Sequence, residues 1–246
     1  MKNIIHFIWL TEPMSRPFSY INMLAVWAAK SVQKPDKIIM WCNEEPNNNS
    51  NWEDIRHLVE IKHIDMPTEI GGVELEHIQY KADVLRLQIL KKHGGIYLDT
   101  DSLLLKPLTP LMKQPFVLAR ESGDSIAMAP IISEPNAPFI DVWLQRMPEA
   151  IKNGTWSSHA VNLPVEIYKH HYHDCDLRPQ KEFFPFDLLH NYLFDDGRAD
   201  EHAERMGDPY AVHVYETYWR GYLDGVDATY MKTRDTLFAR LFRRYC

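Results

Sequence analysis

Only three cysteines occur in 246 residues, Cys42, Cys175 and Cys246. That odd number, without metal-like spacing, argues against both a disulfide framework and a cysteine metal site, and makes a reducing compartment the default. No run reaches the roughly 18 apolar residues that a membrane span needs. The opening MKNIIHFIWL carries one lysine and an apolar run too short for the core of a signal peptide, and Thr11-Glu12-Pro13 follows where a small-residue cleavage site would stand. The expected location is therefore cytoplasmic. A basic stripe is also missing, and with a formal net charge of -7 this excludes a nucleic-acid backbone as partner. Neither an internal repeat, a linker nor a low-complexity segment interrupts the chain, so it reads as one domain over residues 1–246. Hydrophobic residues at 45% and charged residues at 25% exclude the disordered and fibrous classes. Aromatic residues are plentiful at 12%, many of them beside polar neighbours, which suits a site that stacks rings or sugars.

Apolar runs of strand length alternate with helical patterns. Ile4 to Trp9 is nearly continuous, as in a strand covered on both faces of a parallel sheet. A helix is expected from about Pro17 to Val32, with Tyr20, Leu24, Trp27 and Ala28 inward. Lys37 to Cys42 is a second strand, Trp52 to Leu58 a short helix, and Ile61 to Ile64 a third strand. Beyond the middle of the chain, Phe116 to Ala119, Ile126 to Ile131 and Tyr210 to Tyr215 read as strands, and Phe139 to Met147 and Val161 to His171 as helices. Such alternation predicts a doubly wound, mostly parallel sheet with helices on both faces and ligands at the carboxyl ends of its strands.

The most informative stretch runs from Tyr80 to Pro107. Ala82, Leu85 and Ile89 form an apolar stripe, Lys91, Lys92 and His93 put cations in the last turn, and Gly94 ends the helix in a left-handed conformation. Gly95 then admits the extended run Ile96-Tyr97-Leu98. In an extended chain residues i and i+2 face the same way, so Asp99 and Asp101 aim two carboxylates at one volume. Like charges that close are tolerated when one is protonated or a cation is bound, and for oxygen ligands at neutral pH the cation is Mg²⁺ or Mn²⁺.

This stretch resembles the D-x-D segment of a sugar-transferase family. That family includes yeast-type initiating α-mannosyltransferases, bacterial capsular polysaccharide glycosyltransferases and, distantly, the clostridial glucosylating toxins. Asp83, Arg86, Gly94, Gly95, Tyr97, Asp99 and Asp101 match at the family's spacing, the opening IIHFIW resembles its first strand, and His213 with Trp219 resembles its closing H-x5-W element. The resemblance implies a GT-A-type nucleotide-sugar-binding fold, with residues 1–131 as donor and metal core and 132–246 as acceptor-side and closing segment. It implies a metal-dependent, retaining hexosyltransferase of polysaccharide, capsule or lipopolysaccharide synthesis, using a nucleoside-diphosphate sugar and Mn²⁺ or Mg²⁺.

By the same resemblance Trp9 would stack on the donor's base, and Asp83 would accept hydrogen bonds from sugar or ribose hydroxyls. Arg86 would steady sugar and phosphates, and Tyr97 would hydrogen-bond or pack. Asp101 would bind the ion directly, Asp99 would meet ribose or reach the ion through water, His213 would complete the shell, and Trp219 would cover the leaving phosphate. The chain departs from the pattern at Tyr218, where the family carries serine, and at Ala82; Glu216 or Thr217 would then replace the serine contact.

Other readings stand beside this one. Asp83 and Arg86 form at their simplest a surface ion pair, and the tract from His170 to Cys175 an unligated surface segment. A phosphohydrolase also uses D-x-D, although its motif continues to Thr or Val where this chain has Leu103. A catalytically weak carbohydrate-binding relative is the other alternative. The acceptor is expected to be a glycan or a lipid-linked one, with specificity in loops 120–125 and 153–159. In the tail Leu237, Phe238, Leu241, Phe242 and Tyr245 share one side of a helix, which would either pack onto the domain or touch the inner face of a membrane peripherally.

Overall fold

The computed structural model describes every residue except Met14, Asn191 and Cys246, together with the side chain of Tyr172. Strands are β1 (Ile4–Trp9), β2 (Lys37–Cys42), β3 (Glu60–His63), β4 (Glu69–Ile70), β5 (Val73–Glu74), β6 (Gly95–Tyr97), β7 (Ser102–Leu104), β8 (Phe116–Ala119), β9 (Ile131–Ser133), β10 (Asp176–Arg178) and β11 (Ala211–His213). Helices are α1 (Tyr20–Ala28), α2 (Ser50–Ile55), α3 (Ile78–His93), α4 (Pro138–Asn153), α5 (Leu163–His171), α6 (Ala199–Met206), α7 (Arg220–Leu223), α8 (Ala228–Thr233) and α9 (Leu237–Phe242).

Seven strands form one sheet in the order β10-β8-β9-β6-β1-β2-β3. Its β6-β1-β2-β3 half is parallel, while β9 runs antiparallel to both β6 and β8. The pleat sends alternate residues to two cores. Ile5, Phe7, Ile96, Val117 and Ile132 pack with α1, α2 and α9 on one side. Ile8, Tyr97, Phe116, Leu118 and Ile131 pack with α3, α4 and α5 on the other. The expected doubly wound α/β architecture is present, with helices on both faces.

Several local expectations need correction. The first helix starts at Tyr20 because Ser19 caps it, its side chain accepting from Asn22 N while Asn22 Oδ1 accepts from Ser19 N at 2.8 Å. Its buried positions are Ile21 to Val26 and Ala28, whereas Tyr20 and Trp27 stay half-exposed. Ile126 makes only an isolated bridge to Arg120, and the strand begins at Ile131. That strand runs on to Ser133. The last strand is not in the main sheet: β11 pairs with β7 in a separate antiparallel ladder, placing His213 opposite Ser102. In the tail Leu237, Phe238 and Phe242 are buried in the core, with Leu241 and Tyr245 packed against it, which is the first of the two alternatives expected for this segment. Among the described residues no helix is long and apolar enough to cross a membrane. Cys42 and Cys175 are buried free thiols, and Cys246 lies outside the described residues.

The turn from α3 into β6 fixes everything downstream. Gly94 has φ 64° and ψ -169°, a region open to glycine but distinct from the left-handed helical cap expected. A Cβ on Gly95, at φ 104°, would stand 2.6 Å from the Ile4 carbonyl oxygen. This backbone contact lets β6 lie against β1. Inside the contact sits His6, whose Nε2 donates to the Gly94 carbonyl at 2.9 Å while Nδ1 accepts from Trp41 Nε1 at 3.1 Å. Those partners require a neutral ring with its proton on Nε2. Burial, partly offset by the Gly94 carbonyl and reinforced by His93, lowers the His6 pKa to about 4.

Since the unfolded ring titrates near 6.5, the unfolded chain takes up a proton first as pH falls. The His6 contribution is therefore complete above about pH 6.5 and declines towards pH 4, by up to about 3 kcal/mol. Urea unfolding of His6→Gln between pH 7.5 and 4.5 is expected to show a shallower acid loss than the parent chain; an equal slope would contradict this account. Gly95→Ala, which must displace backbone, is expected to lower stability by more than about 2 kcal/mol in the same assay.

Candidate functional site

Helix α3 carries Asp83 and Arg86 inward, buried at the carboxyl edge of the sheet rather than paired on the surface. Arg86 Nη2 lies 3.0 Å from Asp83 Oδ1, and Nη1 lies 3.2 Å from Asp99 Oδ1. Nη1 also donates to the Met128 carbonyl at 3.0 Å, and the guanidinium sits 4.5 Å from the Tyr97 ring centroid. Burial alone would weaken this charge, but the carboxylates of Asp99, Asp83 and Asp101, together with Tyr97, hold the guanidinium protonated more firmly than usual. Tyr97, buried in β6, donates its hydroxyl to Asp99 Oδ1 at 2.9 Å. Burial raises its phenol well above the ordinary range, against the pull of Arg86, so it remains a donor.

The aspartates do not share a face of a strand. Asp99 to Ser102 forms a turn closed by Ser102 N donating to Asp99 O at 2.9 Å, and the convergence comes from that turn. The small β7-β11 ladder then adds the third group. His213 Nδ1 is 3.0 Å from Ser102 Oγ, and its Nε2 is 3.6 Å from Asp101 Oδ2. Asp99, Asp101 and His213 each offer a ligand atom within 4.8 Å of one another, and they are the one such group of three or more among the described residues. The tract from His170 to Cys175 contributes none.

These residues fit a hard divalent cation. Two carboxylates and an imidazole are suitable donors, and a His213 tautomer whose Nδ1–H is bonded to Ser102 Oγ would leave the lone pair on Nε2, facing Asp101. Asp101 is held in place by accepting from Glu216 N at 2.9 Å, and its own carbonyl accepts from Val214 N at 3.1 Å. Tyr215, at φ 43°, takes a conformation unusual for a tyrosine and turns the chain between those two contacts.

The remaining expected residues lie apart from this cluster. Trp9 ends β1 half-exposed, its ring edge-on to Phe18 at 5.0 Å, on a cavity of about 450 Å³ that Arg16, Glu44, Asn47 and Asn49 also line. Its Nε1 has no partner among the described residues. Trp219 is only 4% exposed, donates Nε1 to the Leu188 carbonyl and meets the Tyr215 ring edge-on at 5.1 Å. Tyr218, in place of the family's serine, is 68% exposed and offers no hydroxymethyl-like contact. Glu216, named as a substitute for that serine, reaches the site through its backbone N–H; its side chain accepts from Asn22.

Three supporting residues escape sequence reading. Asn22, fully buried, donates Nδ2 to the Thr100 carbonyl at 3.1 Å and to Glu216 Oε2 at 3.0 Å, joining the D-x-D turn to the closing segment. Its only signal is the Ser-x-x-Asn cap. His159 Nε2 lies 2.9 Å from Asp83 Oδ2, so both oxygens of Asp83 are engaged, one by Arg86 and the other by His159. Glu121, in the loop expected to set specificity, has its pKa raised by burial, an effect the nearby His213 opposes and Asp99 reinforces.

Known proteins resemble this chain in sequence and in fold. Residues 22–118 match the model of the glycosyltransferase sugar-binding region containing the DXD motif. The whole chain is 29% identical to glucan organizing enzyme 1 of Cryptococcus neoformans var. grubii, across 70% of that protein. Over 93% of the chain it is 23% identical to rat lactosylceramide 4-alpha-galactosyltransferase, again across 70% of the relative. Among solved structures, apo GlyE of Streptococcus pneumoniae TIGR4 superposes with a TM-score of 0.55 at 11% identity, covering 100% of this chain and 63% of the other. The galactosyltransferase LgtC, in complex with donor and acceptor sugar analogs, gives 0.50 at 13% identity, covering 93% and 99%. The fold is thus GT-A, and these matches leave the phosphohydrolase alternative without support.

Arg86 separates the carboxylates of Asp83 and Asp99 in a place with little water. Arg86→Met is expected to cost about 3–5 kcal/mol at pH 7, because the buried Asp83 and the half-buried Asp99 lose their counter-charge. Urea unfolding at pH 7 checks this, and a loss below about 1 kcal/mol would contradict it.

Proposed function

We propose that this chain, a glycosyltransferase of the GT-A fold, moves a hexose from a nucleoside-diphosphate sugar to a glycan or lipid-linked hydroxyl, with a divalent ion and with retention at the anomeric carbon. The observation that carries this reading is the convergence of Asp99, Asp101 and His213 within 4.8 Å of one another, beside the buried charge of Arg86. Asp99, Asp101 and His213 would hold Mn²⁺ or Mg²⁺. Bound there, such an ion supplies positive charge against the developing charge of a nucleoside-diphosphate leaving group.

The chain's own residues do the positioning. Arg86 and Tyr97 fix Asp99 from one side, while Glu216 N fixes Asp101 from the other. Arg86 already contacts Asp83, Asp99 and the Met128 carbonyl, so it acts on a donor mainly through the carboxylates it orients. Asp83 keeps lone pairs for a sugar or ribose hydroxyl, yet with both oxygens engaged it is an orienting group rather than a nucleophile. Trp9 offers its ring at the mouth of the neighbouring cavity for the donor's base, a surface apolar on its face and polar at its edge. Trp219 contributes by holding Tyr215 in its turn.

We assign the donor side to the sheet through β9 and the acceptor side to the segments after it, with β11 as the exception that returns to the donor site. The unpaired, buried thiols Cys42 and Cys175 support a reducing compartment.

Asp101→Asn preserves an oxygen for Glu216 N but removes the charge. It is expected to melt within a few degrees of the parent chain while Mn²⁺-dependent turnover of UDP- or GDP-hexoses falls by at least about a hundredfold. Undiminished turnover would remove the metal role. The anomeric configuration of the product, read by NMR, tests retention separately.

A further inference from the structure

The loop between α4 and α5 lays Trp156 across the start of α3, where it remains 51% exposed. Its ring centroid is 4.8 Å from that of His77 and 5.2 Å from that of Tyr80, and His77 and Tyr80 are themselves 5.0 Å apart. The three pairs are tilted or edge-on, with interplanar angles of 61°, 45° and 83°, so the cluster does not stack its own faces away. Leaving a half-exposed tryptophan in water forgoes burial worth far more than the contacts it makes here, and contiguous exposed apolar groups of this kind mark interaction sites.

The cluster is continuous with the site. Tyr80's ring meets the buried ring of His159 at 4.4 Å, and His159 Nε2 reaches Asp83 Oδ2 at 2.9 Å. One buried imidazole therefore separates the exposed rings from the carboxylate that pairs with Arg86. That imidazole has a second nitrogen, Nδ1, buried without a partner among the described residues.

The border of the cluster is polar. Glu76, Gln79 and Asn153 are exposed beside it, and Lys81 pairs with Glu12 at 2.9 Å. Burial, with Asp83 and Glu76 adding to it, raises the Tyr80 phenol, which therefore stays protonated and able to donate. An aromatic face ringed by hydrogen-bonding groups matches a pyranose, which has an apolar C–H face and hydroxyls at its rim. A lipid or a dry protein partner would leave the polar border unpaired.

We propose that His77, Tyr80 and Trp156 form a sugar-binding subsite in which a pyranose unit of the acceptor glycan stacks on Trp156. The assignment to the acceptor rests on the transferase reading above; the binding of a sugar does not.

Calorimetric titration with methyl β-lactoside and with a β-1,3-glucan hexasaccharide tests the subsite. At least one of the two probes is expected to bind the parent chain, Trp156→Ala to weaken that binding by at least about tenfold, and Trp156→Phe to stay within about threefold. Trp156 lies outside the donor and metal residues, so acceptor-free, Mn²⁺-dependent hydrolysis of the donor by Trp156→Ala should stay within about twofold of the parent. Tight sugar binding that depends on Trp156, in a chain without donor turnover, would uphold the subsite and remove the transferase reading. Binding of neither probe, equal binding by Trp156→Ala, or Trp156-dependent sedimentation with phosphatidylcholine–phosphatidylglycerol vesicles in place of sugar binding would overturn the subsite.

Discussion

A guanidinium shut away from water has to be neutralised on the spot, and the neighbours of Arg86 are arranged by that requirement. Asp83 approaches from its own helix, Asp99 from the end of β6, the Met128 carbonyl from the run into β9, and the Tyr97 ring lies against the cation. These groups come from α3, from the strand that follows it and from a loop 42 residues beyond Arg86, so one buried charge ties a helix, a strand and a loop into fixed mutual positions. Losing both carboxylates would leave an uncompensated charge with little solvent to screen it, a penalty of several kcal/mol. The site's rigidity is therefore electrostatic before it is steric.

The opposite side of the site is held by hydrogen bonds instead. Asn22, fixed in the cap of α1, reaches Thr100 and Glu216, while Asp101 accepts from Glu216 N and Ser102 meets His213. The two supports converge on the same short turn: Asp99 belongs to the charged side and Asp101 to the neutral one. In this arrangement Asp99 has little freedom left, with Arg86 and Tyr97 both on one oxygen, whereas His213 Nε2 stands 3.6 Å from Asp101 Oδ2.

The parts legible in the sequence are those that local periodicity specifies. Ile4 to Trp9 and Lys37 to Cys42 are continuous apolar runs, and a sheet buried on both faces demands that pattern. The helix around Leu85 and Ile89, ended by Gly94, was equally readable, and so were the D-x-D residues and the matching islands around them. Ile126 misled because an apolar residue in a buried loop looks like one in a strand. The pleat argument for Asp99 and Asp101 reached the right convergence by the wrong local geometry, since a turn and a distant ladder produce it. Asn22 and His159 could not be found from spacing, because their partners lie 78 and 76 residues away. The burial of Trp219 and its bond to the Leu188 carbonyl were hidden for the corresponding reason: they are properties of the folded chain.

Because β7 pairs with β11, the Ser102–His213 contact spans 111 residues of sequence. A chain emerging from the ribosome could lay down β1, β2, β3 and β6, and even bury Arg86, while the cluster still lacked its imidazole. The cluster of Asp99, Asp101 and His213 is thus completed only after the sheet is built, and a growing chain would carry a finished scaffold before it carried a finished site.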